Sequence, residues 1–443
     1  MTWLCPRMCT PQHRYRKMSD TEVKTREGLT YDPTQDCKLV GAARALAGIK
    51  DSITIVHARP GCHCGVLLLR ALGSNQNDIR IVGSGFRAQD MVYGAEGRLA
   101  ASIKLSYNNF KPSLIAVLNC SAPAIMGDDV EGVVQAMKRE IPAEIFSLST
   151  GGYEGPAWIG YEEALSELTR YMVPGETESD KVNLIGFKQD DIKSSADLLE
   201  IERMLNSQGI TLNAVLTNSS FGELKKAPKA SLNIVLGGDG LESAKIMHEK
   251  FDMPYVITPY PFGLNNSIDF LESVTKSLSK EVNEEFIAIE KNRIKERIER
   301  IFLFLQGIYD MSVAVVGDAG RAFDLAKFLS DELCLNVKVL AITSRNHISL
   351  DKTKTNDGYF ETLLIEPDRF EMNEEIKTKG VEMIFGSSME KKLAWELGLP
   401  LFRIFYPVID EVSISDAPYA GFTGTTHLTE KIINSVINNY IEV

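Results

Sequence analysis

The chain has 443 residues, 44% of them apolar, with a net charge of −12 and a pI near 5.2; one core does not organise that length, so two to four domains are expected. No Lys/Arg stripe with interleaved aromatics and no apolar run of about 18 residues is present, which argues against nucleic acid as the main ligand and against a membrane span. Seven cysteines in so long a chain do not make a disulfide scaffold and point to a reducing, cytoplasmic setting with metal-bound or free thiols.

Residues 1–17 (MTWLCPRMCTPQHRYRK) are basic and aperiodic and lack the apolar region of a secretory signal. They are expected to be a disordered or spurious extension ahead of Met18, with Cys5 and Cys9 unligated. Short β-branched runs then alternate with amphipathic stretches, the pattern of βαβ units and parallel sheets. The expected strands of the first third are Ser52–His57, Ile79–Gly83, Ser113–Asn119 and Ala143–Ser147. After a turn-rich break at Val173–Glu178 come Val182–Gly186, Ala214–Thr217, Ser231–Leu236 and Tyr255–Thr258. A charged helical stretch from about Ser267 to Gly307 reads as a partly exposed connecting helix. The last third brings Ser312–Val316, Val337–Ile342, Thr362–Glu366, Met383–Phe385 and Leu401–Ile404. The reading is an α/β protein of three Rossmann-like domains with parallel sheets: 18–175, 176–307 and 308–443.

Three cysteines, Cys37, Cys62 and Cys120, fall in the first domain with the spacing C-x24-C-x57-C. Cys62 and Cys120 each follow an apolar run that reads as a buried strand, and open α/β sheets bind ligands just past their strand ends. Three convergent thiolates suit an iron–sulfur cluster or zinc and are one short of a complete set, which suggests a second subunit. The bland alternative is three inert core cysteines. Gly61 and Gly65 flank Cys62 and are expected to make a turn open to a bulky ligand. Cys64 and Cys334 are expected in the core. His57 ends a strand beside the Cys62 loop, either backing the sulfurs or simply closing the strand, and His427 is expected at the start of the C-terminal helix in a surface or capping role. Gly317-x-x-Gly320 lacks the full dinucleotide fingerprint and reads as a tight strand-to-helix turn. No P-loop is present, so any ATP the reaction needs is hydrolysed by another protein.

On these residues the chain resembles the component 1 family of nitrogenases and nitrogenase-like reductases, above all the β subunits of vanadium and iron-only nitrogenases. The resemblance is carried by Met18–Lys24, Cys37–Ala42, Gly48–Asp51, Ile55–His57 leading to Gly61-Cys62, and Asp90–Gly94. It continues through Cys120 with Gly127–Val130, Ala227-Pro228, Pro261–Leu264 and Tyr419–Gly424. It implies that Cys37, Cys62 and Cys120 ligate an Fe–S cluster at the interface with an α-type partner in an α2β2 assembly. In nitrogenases that cluster is the [8Fe-7S] P-cluster, which relays electrons from an ATP-hydrolysing iron protein; in tetrapyrrole reductases it is a [4Fe-4S] cluster. Pro156 stands where β subunits of molybdenum nitrogenases carry a ligating serine, so no ligation by that residue is expected. Leu236–Gly240 has glycine where α subunits carry the cysteine of the catalytic cofactor, and no histidine stands in the expected C-terminal setting, so no such cofactor is expected here. The resemblance thus implies an electron-relay subunit acting on dinitrogen, a methylthio-alkane carbon–sulfur bond or a tetrapyrrole. Arg59-Pro60 and Pro156 depart from the commonest nitrogenase β pattern and keep a substrate other than dinitrogen open. The rival readings are a non-catalytic scaffold for metal-cofactor assembly, a zinc-stabilised protein with no redox role and a tetrapyrrole reductase.

Overall fold

The computed structural model describes residues 22–25, 37–72, 80–349 and 358–440; residues 1–17 with Cys5 and Cys9, and Ile79 of the second expected strand, lie outside them. In chain order the strands are β1 (Glu22–Thr25), β2 (Ser52–His57), β3 (Ile81–Gly83), β4 (Leu114–Asn119) and β5 (Glu144–Ser149). Then come β6 (Glu178–Ile185), β7 (Thr211–Val215), β8 (Ala230–Leu236) and β9 (Tyr255–Thr258). The last are β10 (Ser312–Asp318), β11 (Asn336–Ser344), β12 (Thr362–Ile365), β13 (Met383–Gly386) and β14 (Leu401–Arg403).

They form three sheets, ordered β3-β2-β4-β5, β7-β6-β8-β9 and β1-β12-β11-β10-β13-β14, and every pairing between these strands is parallel. Helices on both faces bury the strands, which is why they read as apolar runs rather than alternating ones: every residue of β2 and of β13 is buried. Setting β1 aside, the three sheets share one topology. The chain steps from its first strand to one side, then crosses back to add the remaining strands on the other.

Three features depart from expectation. β1, a charged tetrapeptide that joins the edge of the third sheet in register with Thr362–Ile365, has no apolar signal to announce it. The stretch expected as one connecting helix is three, Gly263–Ser277, Glu284–Arg300 and Phe302–Gln306. Ser279 adopts φ +55° in the first break, and Asn283 caps the second helix by accepting the Phe286 N–H at 3.0 Å. The C-terminal helix Gly421–Tyr440 returns to the middle of the molecule. Just ahead of it the Tyr419 and Ala420 amides donate to Asp197 at 2.6 and 2.9 Å, and the Thr423 amide donates to Glu200 at 2.9 Å.

The strand ends of the second and third sheets meet over a buried ion-pair network. Lys188, after β6, lies 2.5 Å from Asp239 after β8 and 3.1 Å from Asp318 at the end of β10. Arg44, from the helix Lys38–Leu46, chelates Asp190 and also reaches Asp191 at 3.0 Å. The Arg321 guanidinium stands 2.8 Å from Asp191 without an aligned N–H, packed over the rings of Tyr260 and Phe262. Gly237 touches the backbone of Gly320 so closely that a Cβ on it would sit 1.8 Å from the Gly320 oxygen. The glycines of Gly317-x-x-Gly320 thus serve packing: Gly317 lies against the Phe405 ring and Gly320 against Asp239.

Candidate metal centre

In the first sheet the crossover direction reverses between β2 and β4, which pair from Ser52↔Leu114 to His57↔Asn119. The crevice past the carboxyl ends of two such strands is where open α/β sheets bind ligands. Cys62 and Cys120 stand there. Cys120 follows β4 directly, and its N–H donates to the His57 carbonyl at 3.1 Å. Cys62 lies in the first turn of the helix Pro60–Leu72, whose first residue is a proline pre-set for that position. Cys37 arrives from outside the sheet, pairing with Pro156 in an isolated bridge, with the Lys38 N–H donating to the Gly155 carbonyl at 2.9 Å.

The three cysteines stand around one crevice, two of them in contact and the third nearby. The thiols of Cys62 and Cys120 are in hydrogen-bonding contact, and Cys37 is close enough for its charge to act on Cys120. Each sits at the start of a helix: Cys37 is the N-cap of Lys38–Leu46, Cys120 that of Ser121–Met126, and Cys62 is the third residue of its own. Amide-rich helix starts favour the anionic thiolate. The hydrogen bond from Cys120, aided by the Arg59 charge and opposed by burial, draws the Cys62 thiol down to about 6. The same hydrogen bond, together with burial, pushes Cys120 above the usual thiol range.

The surroundings suit a bulky sulfur-ligated group. Gly61 and Gly65 have nothing within 4 Å of where a side chain would begin, and a Cβ on Gly152 would fall 3.9 Å from the Cys37 sulfur. Among the described residues no three His, Cys, Asp or Glu side chains, these cysteines included, close on one metal ion; thiols spread around a crevice are the soft ligand type of iron–sulfur clusters, which span several metal atoms. Exposed apolar side chains stand on the neighbouring segments: Val92 and Tyr93 of the turn Asp90–Tyr93, Ile125 of the helix that Cys120 caps, Tyr153 beside Gly152, and Leu68 on the Cys62 helix. Contiguous exposed apolar surface is a feature of contact sites for other molecules.

Several expectations need correction. Gly61 and Gly65 lie in a helix, not a turn, because Pro60 starts one. Cys64 is exposed rather than in the core; of the helix's described side chains Val66 alone is fully buried. Cys334 is half-buried in the turn after the helix Ala319–Asp331, at φ +57°. His427 lies half-buried within the C-terminal helix and does not start it. His57 is fully buried, with ring nitrogens 2.9 Å from Ser84 Oγ and 3.3 Å from Asp128 Oδ2, and burial holds its pKa below the ordinary value despite Asp128. Of these partners, only Asp128 had a sequence signal, Gly127-Asp128-Asp129 after Cys120; Ser84 had none.

The chain matches the profile of the family described as nitrogenase component 1 type oxidoreductase over residues 37–437. It is 24% identical to the nitrogenase vanadium-iron protein beta chain of Trichormus variabilis, over 93% of this chain and 95% of that one. It is 25% identical to the nitrogenase iron-iron protein beta chain of Rhodobacter capsulatus, with 93% and 95% covered. The nitrogenase iron-molybdenum cofactor biosynthesis protein NifE of Clostridium pasteurianum is 25% identical, with 91% and 88% covered. The solved structure "Nitrogenase Cp1 at pH 6.5" shares the fold at a TM-score of 0.80 and 20% identity, over 94% of this chain and 95% of that one. The chain therefore belongs to the nitrogenase component 1 type oxidoreductase family and resembles its β chains.

Proposed function

We propose that the chain is the electron-relay β-type subunit of a nitrogenase-like reductase, joined to an α-type partner in an α2β2 assembly and served by an ATP-hydrolysing iron protein. The observation that carries this reading is the convergence of Cys37, Cys62 and Cys120 at the switch point of the first sheet, on a face rimmed with exposed apolar side chains. When bound there, an Fe–S cluster of the [8Fe-7S] type supplies one-electron storage between donor and partner. The chain's own part is to hold three thiolates at helix starts, to place the Arg59 cation beside Cys62, and to offer an apolar rim that a partner seals against water. Pro156, paired with Cys37, adds no donor atom. The likeness to NifE favours a second reading, a scaffold on which a metal cofactor is assembled.

The test is anaerobic purification with whatever subunit co-purifies, followed by iron and sulfide analysis and EPR of reduced and oxidised samples. About eight irons per αβ pair at the interface, with EPR changes on oxidation, supports the relay reading; about four there, with a simple reduced cubane signal, moves the chain to the scaffold or tetrapyrrole branch. Cys62→Ala is expected to lose the cluster iron and Cys64→Ala to keep it. Equal loss in both would contradict the ligand assignment.

A further inference from the structure

We infer that His57, held between Ser84 and Asp128, is a positioning residue for the thiol site: it fixes where Cys120 and Cys62 present their sulfurs and brings a buried carboxylate charge to the base of that site. The inference rests on the reading that these thiols hold an iron–sulfur cluster, and it adds a determinant of that cluster's placement and potential.

The His57 ring is 0% exposed at the last position of β2. It lies between the Ser84 hydroxyl and the Asp128 carboxylate, with the Phe86 ring edge-on to it at a centroid separation of 5.8 Å. A neutral imidazole has one N–H. Donation from Nε2 to the carboxylate leaves Nδ1 to accept from Ser84, and this tautomer satisfies both contacts. The carbonyl of the same residue accepts the Cys120 N–H at 3.1 Å, and Asp128 Oδ1 accepts the Ala95 N–H at 3.4 Å. The Ser84 N–H in turn donates to the Val56 carbonyl at 3.1 Å. Four segments therefore meet on one residue: the end of β2 that leads to Cys62, the turn after β3, the residue that opens the Cys120 helix, and the loop that closes it. Each depends on the others for its hydrogen bonds, so a displaced ring moves both cysteine-bearing segments.

The charge is a separate matter. The Asp128 side chain is 3% exposed, and among the described residues it is paired with no Lys or Arg. A buried anion close to a redox group disfavours the reduced, more negative state, because little solvent screens it. Removing that charge while keeping the shape is expected to raise the midpoint potential.

Three variants test this in the complex purified anaerobically with its co-purifying partner. Asp128→Asn is expected to keep the parent's iron and to show a higher midpoint potential and an altered EPR spectrum. His57→Leu, which leaves Asp128 without its donor, is expected to lose most of the iron. His57→Gln, whose amide N–H can reach the carboxylate in place of Nε2, is expected to restore it. Full iron in Asp128→Asn at an unchanged potential overturns the electrostatic role; parent-level iron and EPR in His57→Leu overturns the positioning role. If His57→Leu does not fold, as circular dichroism and thermal unfolding would show, the comparison of Asp128→Asn and His57→Gln with the parent decides. A parent complex without cluster iron, or Cys62→Ala with all of it, refutes the proposed function itself, an outcome distinct from failure of the His57 variants alone.

Discussion

Lys188 shows what single residues contribute outside the thiol site. Its ammonium is buried between Asp239 and Asp318. Burial pulls its pKa down, but the two carboxylates outweigh burial and hold it above the ordinary lysine value. Lys188→Met leaves two buried carboxylates without their cation, which costs about 3–5 kcal/mol. Urea unfolding should show that loss, and adding Asp239→Asn and Asp318→Asn to the same chain should recover much of it. A loss under about 1 kcal/mol would mean that water already reaches the site. This network could not be read from the sequence. Its members lie far apart in the chain and share no local pattern. Cys62 and Cys120 drew notice because each follows an apolar run that the sequence announces as a strand, whereas Cys37 has no such run before it.

At the scale of elements, strands fully buried in parallel sheets declare themselves as apolar runs, and β2, β4, β8 and β10 lie close to where the sequence puts them. β1 was hidden because an edge strand of Glu-Val-Lys-Thr has neither apolar run nor alternation. The Cys62 helix misled for the opposite reason. Cys64 was expected in the core, yet it is exposed, and so is Leu68 one turn on, at 57%. Its apolarity fits coverage by another chain, which one sequence alone does not reveal. The placement of Cys37 has a more specific cause, the crossing of Lys38–Leu46 over Ala157–Leu168. There a Cβ on Gly41 would lie 1.7 Å from the Ala157 oxygen, and one on Gly160 1.9 Å from the Lys38 oxygen. Only glycine allows so close an approach, and the same approach draws Cys37 to Pro156. Gly160→Ala must push the helices apart and is expected to cost at least about 3 kcal/mol. Because Cys37 begins one helix and Pro156 caps the other, the variant is also expected to retain less iron than the parent. Full iron together with full thermal stability would show that the crossing has slack and does not set the position of Cys37.

At the scale of the whole molecule, Glu162 and Glu332 are among the carboxylates that hold a helix start from a neighbouring part of the fold. Glu162, on Ala157–Leu168, accepts the Gly240 and Glu242 amides at 2.7 and 3.2 Å, where the helix Leu241–Phe251 begins. Glu332 accepts those of Leu264 and Asn265, each at 2.8 Å, at the start of Gly263–Ser277. Burial raises each to about 7, against the opposing pull of the amides they cap. Between the ordinary glutamate value and 7 the folded chain binds more protons than the unfolded one. Stability from these groups is therefore fully present below about pH 4.5 and is lost as pH rises through 7, by up to about 3 kcal/mol per group. His57 and His427, whose pKa values burial lowers, act in the opposite direction below about pH 6.5. Asp410, held far below the usual range by its hydrogen bond with Arg403, is fully ionised throughout the window from pH 5 to 8 and contributes no slope there. The test is accordingly a difference between two chains. Glu162→Gln removes one titrating group and keeps the histidines, so subtracting its apparent unfolding temperature from that of the parent isolates Glu162. That difference should fall between pH 5 and about 7 and level off above it. A flat difference would mean that Glu162 ionises near the ordinary glutamate value, with its two amide hydrogen bonds outweighing burial.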